Sequence, residues 1–217
     1  METPRREIGL SVINEGEHTK GGDWLRYVET RLSGFEAQEQ GVTIINKGKD
    51  REVFAQYYAD AERPELLAMR TKRMPRGRRN WLCTAPIAYT GSESLAQAIA
   101  MFQSVLRPGE EAFLTSTAPS SLEPYRQNKY YESHEEFLYA LGEALRVEYQ
   151  AIVDAGLILQ VDDAWLAALW DRIGIEMGLE AFRKYCALRI DVLNHALRGI
   201  PPDRVRYHPV SYTHLRA

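Results

Sequence analysis

Ser133-His-Glu-Glu-Phe-Leu-Tyr-Ala-Leu-Gly-Glu-Ala-Leu-Arg-Val-Glu-Tyr-Gln-Ala-Ile-Val-Asp-Ala-Gly156, followed at once by Leu157-Ile-Leu-Gln-Val161 and Asp162-Asp163, is the stretch that decides the fold. Ser133 can cap free amides while Glu136, three residues on, completes a capping box. Phe137, Leu138, Leu141, Leu145, Tyr149, Ile152 and Val153 recur at helical spacing, and Glu135, Glu143, Arg146 and Asp154 fall on the wet side. Gly156 stops the helix, and the apolar run after it has strand length.

The same unit repeats on either side. Leu10-Ser-Val-Ile-Asn14, Leu82-Cys-Thr-Ala-Pro-Ile-Ala-Tyr89, Ala112-Phe-Leu-Thr-Ser116 and Arg204-Val-Arg-Tyr207 are further strand-length runs. Helices are expected from Ser92 to Leu106, ended by Pro108-Gly109, and from Trp165 to Leu197, divided at Gly174 or Gly178. Strand followed by covering helix implies parallel strands with right-handed crossovers. Asp23 to Leu32 reads as a helix, Gly41 to Asn46 as a strand pair or excursion, and Glu52 to Ala61 as another helix. The class is therefore α/β, a partial (β/α)8 TIM barrel with about five of its eight strands, too few to close.

Composition narrows the rest. Ordinary apolar and charged fractions describe a globular domain. No apolar run reaches the roughly 18 residues of a bilayer helix, and no signal-peptide core follows Met1, so a cytoplasmic setting is expected. Cys83 and Cys186 lack paired spacing, which points to buried small hydrophobes rather than a disulfide framework or a zinc module. A net charge of −3 implies no polyanionic partner. The basic run Arg70, Lys72, Arg73, Arg76, Arg78 and Arg79, broken by Pro75 and Gly77, reads as a solvated loop, or as a patch for small anions.

Chemistry in such folds gathers where strands end at their carboxyl tips. Those positions hold Asn14-Glu-Gly-Glu17-His18, Asp162-Asp163 and His208. Two carboxylates and an imidazole are thus expected at one mouth. Asp162 or Asp163 can alternatively cap the helix at Trp165. His18 reads as a loop residue, His134 and His195 as exposed or capping residues, and Tyr89 and Ser116 as strand-end residues able to line a pocket.

Ile13-Asn-Glu-Gly-Glu17, Arg31-Leu-Ser-Gly-Phe35, Asn128-Lys-Tyr-Tyr131, Glu148-Tyr-Gln-Ala-Ile-Val-Asp-Ala-Gly156 and Gln160-Val-Asp-Asp163 together resemble the catalytic barrel of cobalamin-independent methionine synthase. The likeness is stronger to the stand-alone single-barrel branch, which includes epoxyalkane:coenzyme M transferases. It implies a zinc enzyme that moves a methyl group from methyltetrahydrofolate, or a related donor, to the thiol of homocysteine. Zinc coordination keeps a thiol deprotonated yet nucleophilic near neutral pH. By position, Glu17 and Asp162 match the family's holders of the substrate amino group, and His208 matches the first ligand of its histidine-x-cysteine zinc motif. Here Pro209 and Val210 follow, where the motif expects a cysteine two residues on.

Val210-Ser-Tyr-Thr-His-Leu-Arg-Ala217 reads as one frame of a sequencing adapter, so residues 210–217 are expected to be a non-native tail on an incomplete catalytic barrel, 1–209. By itself such a piece is expected to be inactive. The partners expected are a small-molecule thiol and a methyl donor, with neither nucleic acid nor membrane. A non-catalytic barrel module is the reading of a different class. A decarboxylase of the uroporphyrinogen type, favoured only by the Arg70–Arg79 run, ranks third.

Overall fold

In the computed structural model, the described residues are 9–21, 24–38, 48–61, 63 and 80–209. The excursion expected at Gly41 to Asn46, the basic run Arg70 to Arg79 and residues 210–217 lie outside them. Four parallel strands form the main sheet: β1 (Val12–Asn14), β4 (Glu111–Thr117), β6 (Ile158–Asp162) and β7 (Val205–His208), in the order β1-β4-β6-β7. A second sheet, ordered β2-β3-β5, contains β2 (Phe35–Gln38), β3 (Asn80–Cys83) and β5 (Arg126–Asn128), with β2 antiparallel to β3. The architecture is mixed α/β, with part of a barrel-like parallel sheet.

This corrects the count of five barrel strands. The run starting at Leu82 is a strand through Cys83 only, and it pairs with β2 and β5 instead of β1 or β4. Leu82-Cys83 has strand composition, but its neighbours are set by distant segments that periodicity cannot name. β2 and β5 were not anticipated.

The helices are α1 (Trp24–Glu29), α2 (Lys49–Val53), α3 (Ala55–Ala61), α4 (Ser92–Gln103), α5 (Pro119–Leu122), α6 (His134–Asp154), α7 (Ile175–Met177) and α8 (Leu179–Ala196). α6 starts as its cap dictates: Ser133 Oγ accepts from the Glu136 amide at 3.0 Å. Its apolar stripe, Phe137, Leu138, Leu141, Leu145, Tyr149 and Ile152, is buried, each side chain contributing about 1.5–3 kcal/mol. α8 packs beside it at Gly142, where a Cβ would meet Val192 Cγ1 at 3.1 Å. The expected division at Gly174 or Gly178 is real: a π turn spans Trp170–Gly174, and Gly178, at φ 81°, separates α7 from α8.

Side-chain alternation divides the main sheet into two faces. Leu114, Leu159 and Val205 are register partners on the face covered by helices, as are Ser116, Val161 and Tyr207. Thr115, Gln160 and Arg206 share the opposite face, with Thr117, Asp162 and His208 one step further along it. The helix-covered face is apolar, with Leu159 and Val161 fully buried, whereas the other is polar toward the strand ends. Cys83 is buried as expected, but Cys186 on α8 is only partly so. Among the described residues no helix is long and apolar enough to cross a membrane.

Candidate functional site

The carboxyl end of the main sheet brings Glu17, Asp162 and His208 to one region. After β1, the Asn14 side chain accepts from the Gly16 amide at 3.2 Å and Glu15 from the Thr19 amide at 3.2 Å, which ties the turn down. Gly16 and Glu17 both take positive φ, 72° and 57°, and a short 3-10 turn, His18–Lys20, follows. Among the described residues Glu17 alone is a non-glycine with positive φ. Such strain persists only where the surroundings over-determine it, and it concentrates at functional sites.

What holds Glu17 there is a contact made from β4. Thr115 Oγ1 donates to Glu17 Oε1 at 2.9 Å, and Lys20 Nζ stands 3.2 Å from the same oxygen. Lys20 also donates to Thr115 Oγ1 and lies 5.5 Å from the centre of the Tyr27 ring. Partial burial works to raise the Glu17 pKa, but the Lys20 charge, the Thr115 and Lys20 hydrogen bonds and the His208 field outweigh it, so the carboxyl sits below its ordinary value.

Beside this, on the same face, Thr115 is in register with Gln160. The Gln160 amide donates to Asp162 Oδ1 at 3.0 Å, and that oxygen is also 3.0 Å from His208 Nδ1. With the carboxylate accepting, Nδ1 carries the ring proton and Nε2 keeps its lone pair, the arrangement that carboxylates impose on metal-binding and proton-accepting imidazoles. The backbone reinforces the pairing, since the Asp163 amide donates to His208 O at 2.9 Å.

Asp163 takes a different role from Asp162. It is buried and accepts from Ser120 Oγ at 2.7 Å, Ser121 Oγ at 3.0 Å, Tyr207 OH at 3.0 Å and the Leu166 amide at 3.2 Å. Asp163 is thus a buried structural carboxylate that ties down the turn after β6; the helix expected from Trp165 does not start there, since the first helical segment is the π turn at Trp170, and Asp162 is left facing the mouth.

Tyr89 and Ser116, candidates for pocket lining, do not reach it. Ser116 Oγ donates to Glu148 Oε1 at 2.7 Å and Tyr89 OH to Glu148 Oε2 at 2.5 Å, between the sheet and α6. The reason is parity: Ser116 follows Thr115 and so points to the helices. His18 is exposed. His134 is exposed, as expected, and its Nε2 also lies 2.6 Å from the buried Glu123. His195 pairs with Glu143.

Lys20 and Thr115 were not singled out by sequence. A lysine in a turn reads as solvated, and only the position three residues after Glu17 hints otherwise; Thr115 was a strand residue whose parity was unassigned. Zinc fits the described residues poorly. They contain no group of three or more His, Cys, Asp or Glu side chains able to hold a metal. His208 and Asp162 fall short of the three protein ligands of a catalytic zinc centre.

No protein-family model matches the chain, and no curated protein does. Among solved structures, a B12-independent methionine synthase from a Shewanella species, in complex with selenomethionine, is similar at a TM-score of 0.59 and 14% identity. The match covers 91% of this chain and 46% of that one, so the chain spans less than half of that protein's length. At this identity the likeness concerns the fold, and activity is a separate question.

Proposed function

We propose that this protein belongs to an enzyme that transfers a methyl group to a thiol in the manner of B12-independent methionine synthases, with homocysteine as acceptor and methyltetrahydrofolate or a related compound as donor. One observation carries the reading: Glu17, Asp162 and His208 lie at the carboxyl ends of β1, β6 and β7, near enough for the His208 field to act on Glu17, with Asp162 fixing the imidazole so that Nε2 is available. Glu17 and Asp162 supply the two carboxylates that an amino acid's ammonium group needs for orientation.

In this reading the thiol sulfur attacks the methyl carbon, a sulfur–carbon bond forms, and the donor's nitrogen–carbon bond breaks with its electron pair staying on nitrogen, which takes up a proton. His208 Nε2 can take the thiol proton, because the Asp162 carboxylate stabilises the imidazolium that results. Zinc, where present, would add activation of the sulfur. It needs donors beyond His208 and Asp162, so nothing here is routed through it. A reducing cytoplasm suits a free thiol substrate.

The test uses the purified protein with zinc supplied. Methionine should form from homocysteine and methyltetrahydrofolate, and Asp162→Ala should lower the rate by about 100-fold or more. No methylated thiol from the wild-type protein would overturn the reading.

A further inference from the structure

Lys20 is a buried ammonium in a ready-made cage. Its side chain is 6% exposed, against 47% for that of Glu17. The group is held by the Glu17 carboxylate, the Thr115 hydroxyl and the face of the Tyr27 ring. A carboxylate, a hydroxyl acceptor and an aromatic face are also what recognition of a ligand's ammonium group requires. The lysine therefore stands where a substrate amino group would stand to share Glu17 Oε1 with Thr115.

We propose that Lys20 is a specificity-determining residue: its ammonium is a resident competitor for the amino subsite of Glu17, and it sets how much the amino group of an acceptor thiol contributes to binding. The inference rests on the reading of Glu17 given above. Glu17 Oε1 already meets two partners, so an incoming ammonium gains little from it unless Lys20 swings out. Apparent affinity for amino-bearing thiols is lowered by the fraction of molecules in which the cage is filled. Lys20 has somewhere to go, because the half-exposed Glu17 opens the cage toward solvent.

Titration calorimetry on the gene product and its Lys20→Met variant, with homocysteine and its amino-free analogue 4-mercaptobutanoate, tests this. Homocysteine should bind about tenfold or more tightly to K20M than to wild type, the analogue should not change, and adding Glu17→Gln should erase the gain. Equal tightening of both thiols, or of neither, overturns the competitor role. Should neither thiol bind either protein, this inference and the thiol reading fall together. Methionine formation tests the thiol reading alone, so the two failures are distinguishable. Where K20M does not fold, 15N NMR of the lysine ammonium groups in the wild-type protein replaces it. The Lys20 signal should shift with homocysteine and stay put with the analogue, and an unmoved signal overturns the proposal.

Discussion

Asp162 and His208 are register partners at the ends of β6 and β7, and the carboxylate oxygen lies 3.0 Å from Nδ1 while the Gln160 amide reaches the same nitrogen only at 3.5 Å. The two neighbours demand opposite tautomers: Asp162 needs a proton on Nδ1, Gln160 a lone pair there. The shorter, charge-assisted contact wins. Asp162→Ala should hand Nδ1 to Gln160 and move the ring proton to Nε2, which 15N NMR of the imidazole at alkaline pH reads directly. An unchanged tautomer ratio would mean that Asp162 does not orient His208. Such a flip also removes the Nε2 lone pair on which proton transfer or metal binding depends, so activity lost in Asp162→Ala should track the tautomer.

How far the sequence could see is plain from the same residues. Asp162 and His208 were legible because each ends a strand-length apolar run, and α6 because Ser133, its apolar stripe and Gly156 agree on one helix. The partners of β3 were not, since a four-residue strand carries no information about which distant edge it joins. Lys20 was hidden for a different reason. Its burial depends on Thr115, 95 residues away, and only the folded chain brings a cage around a side chain that composition assigns to water.

Gly34, just before β2, packs against the segment that follows β3 at a position that tolerates no side chain. Its φ is +88°, and an added Cβ would stand 2.6 Å from Pro86 O and 2.7 Å from Ala85 O, both backbone atoms that cannot rotate away. The Gly34 carbonyl also accepts from the Thr84 amide at 3.1 Å, so a shift to relieve the clash breaks that bond. Gly34→Ala should cost about 2–4 kcal/mol in urea unfolding. A loss below about 0.5 kcal/mol, the range of neutral surface changes, would contradict the geometry.

Tyr89 donates to Glu148 and accepts from Arg31 Nη1 at 3.2 Å, joining α6 to the segment that follows α1. Burial first, and the neighbouring Glu148 carboxylate next, push its hydroxyl pKa far above the ordinary value, so it stays a donor at any usual pH. Tyr89→Phe leaves a buried carboxylate short of one donor and should cost about 1–3 kcal/mol, a fall in Tm of about 2–4 °C per kcal/mol for a chain of this length. Ser116→Ala removes another donor to the same carboxylate. The two changes should be non-additive by about 0.5 kcal/mol or more, because they act on one carboxylate, and strict additivity would mean that they do not share it.

Glu123 and Arg189 form a buried ion pair, with side chains 8% and 5% exposed, that fastens the turn after α5 to α8. Arg189 Nε donates to Glu123 Oε2 at 2.8 Å while its Nη2 reaches Oε1, and the guanidinium lies 3.2 Å from the centre of the Tyr185 ring. Burial acts to raise the Glu123 pKa, but His134 and Arg189 together hold it below the ordinary carboxylate value. A carboxylate whose folded pKa is depressed stabilises the protein above its unfolded pKa, near 4.3, and that contribution is lost as pH falls through the folded pKa. Glu123→Gln strands Arg189 as an unpaired buried charge and should cost about 3–5 kcal/mol at neutral pH. The gap between variant and wild type should narrow as the pH drops below about 4. Urea unfolding of both proteins along a pH series measures it. A gap that stayed constant into acid would mean that the Glu123 charge is not what stabilises this joint.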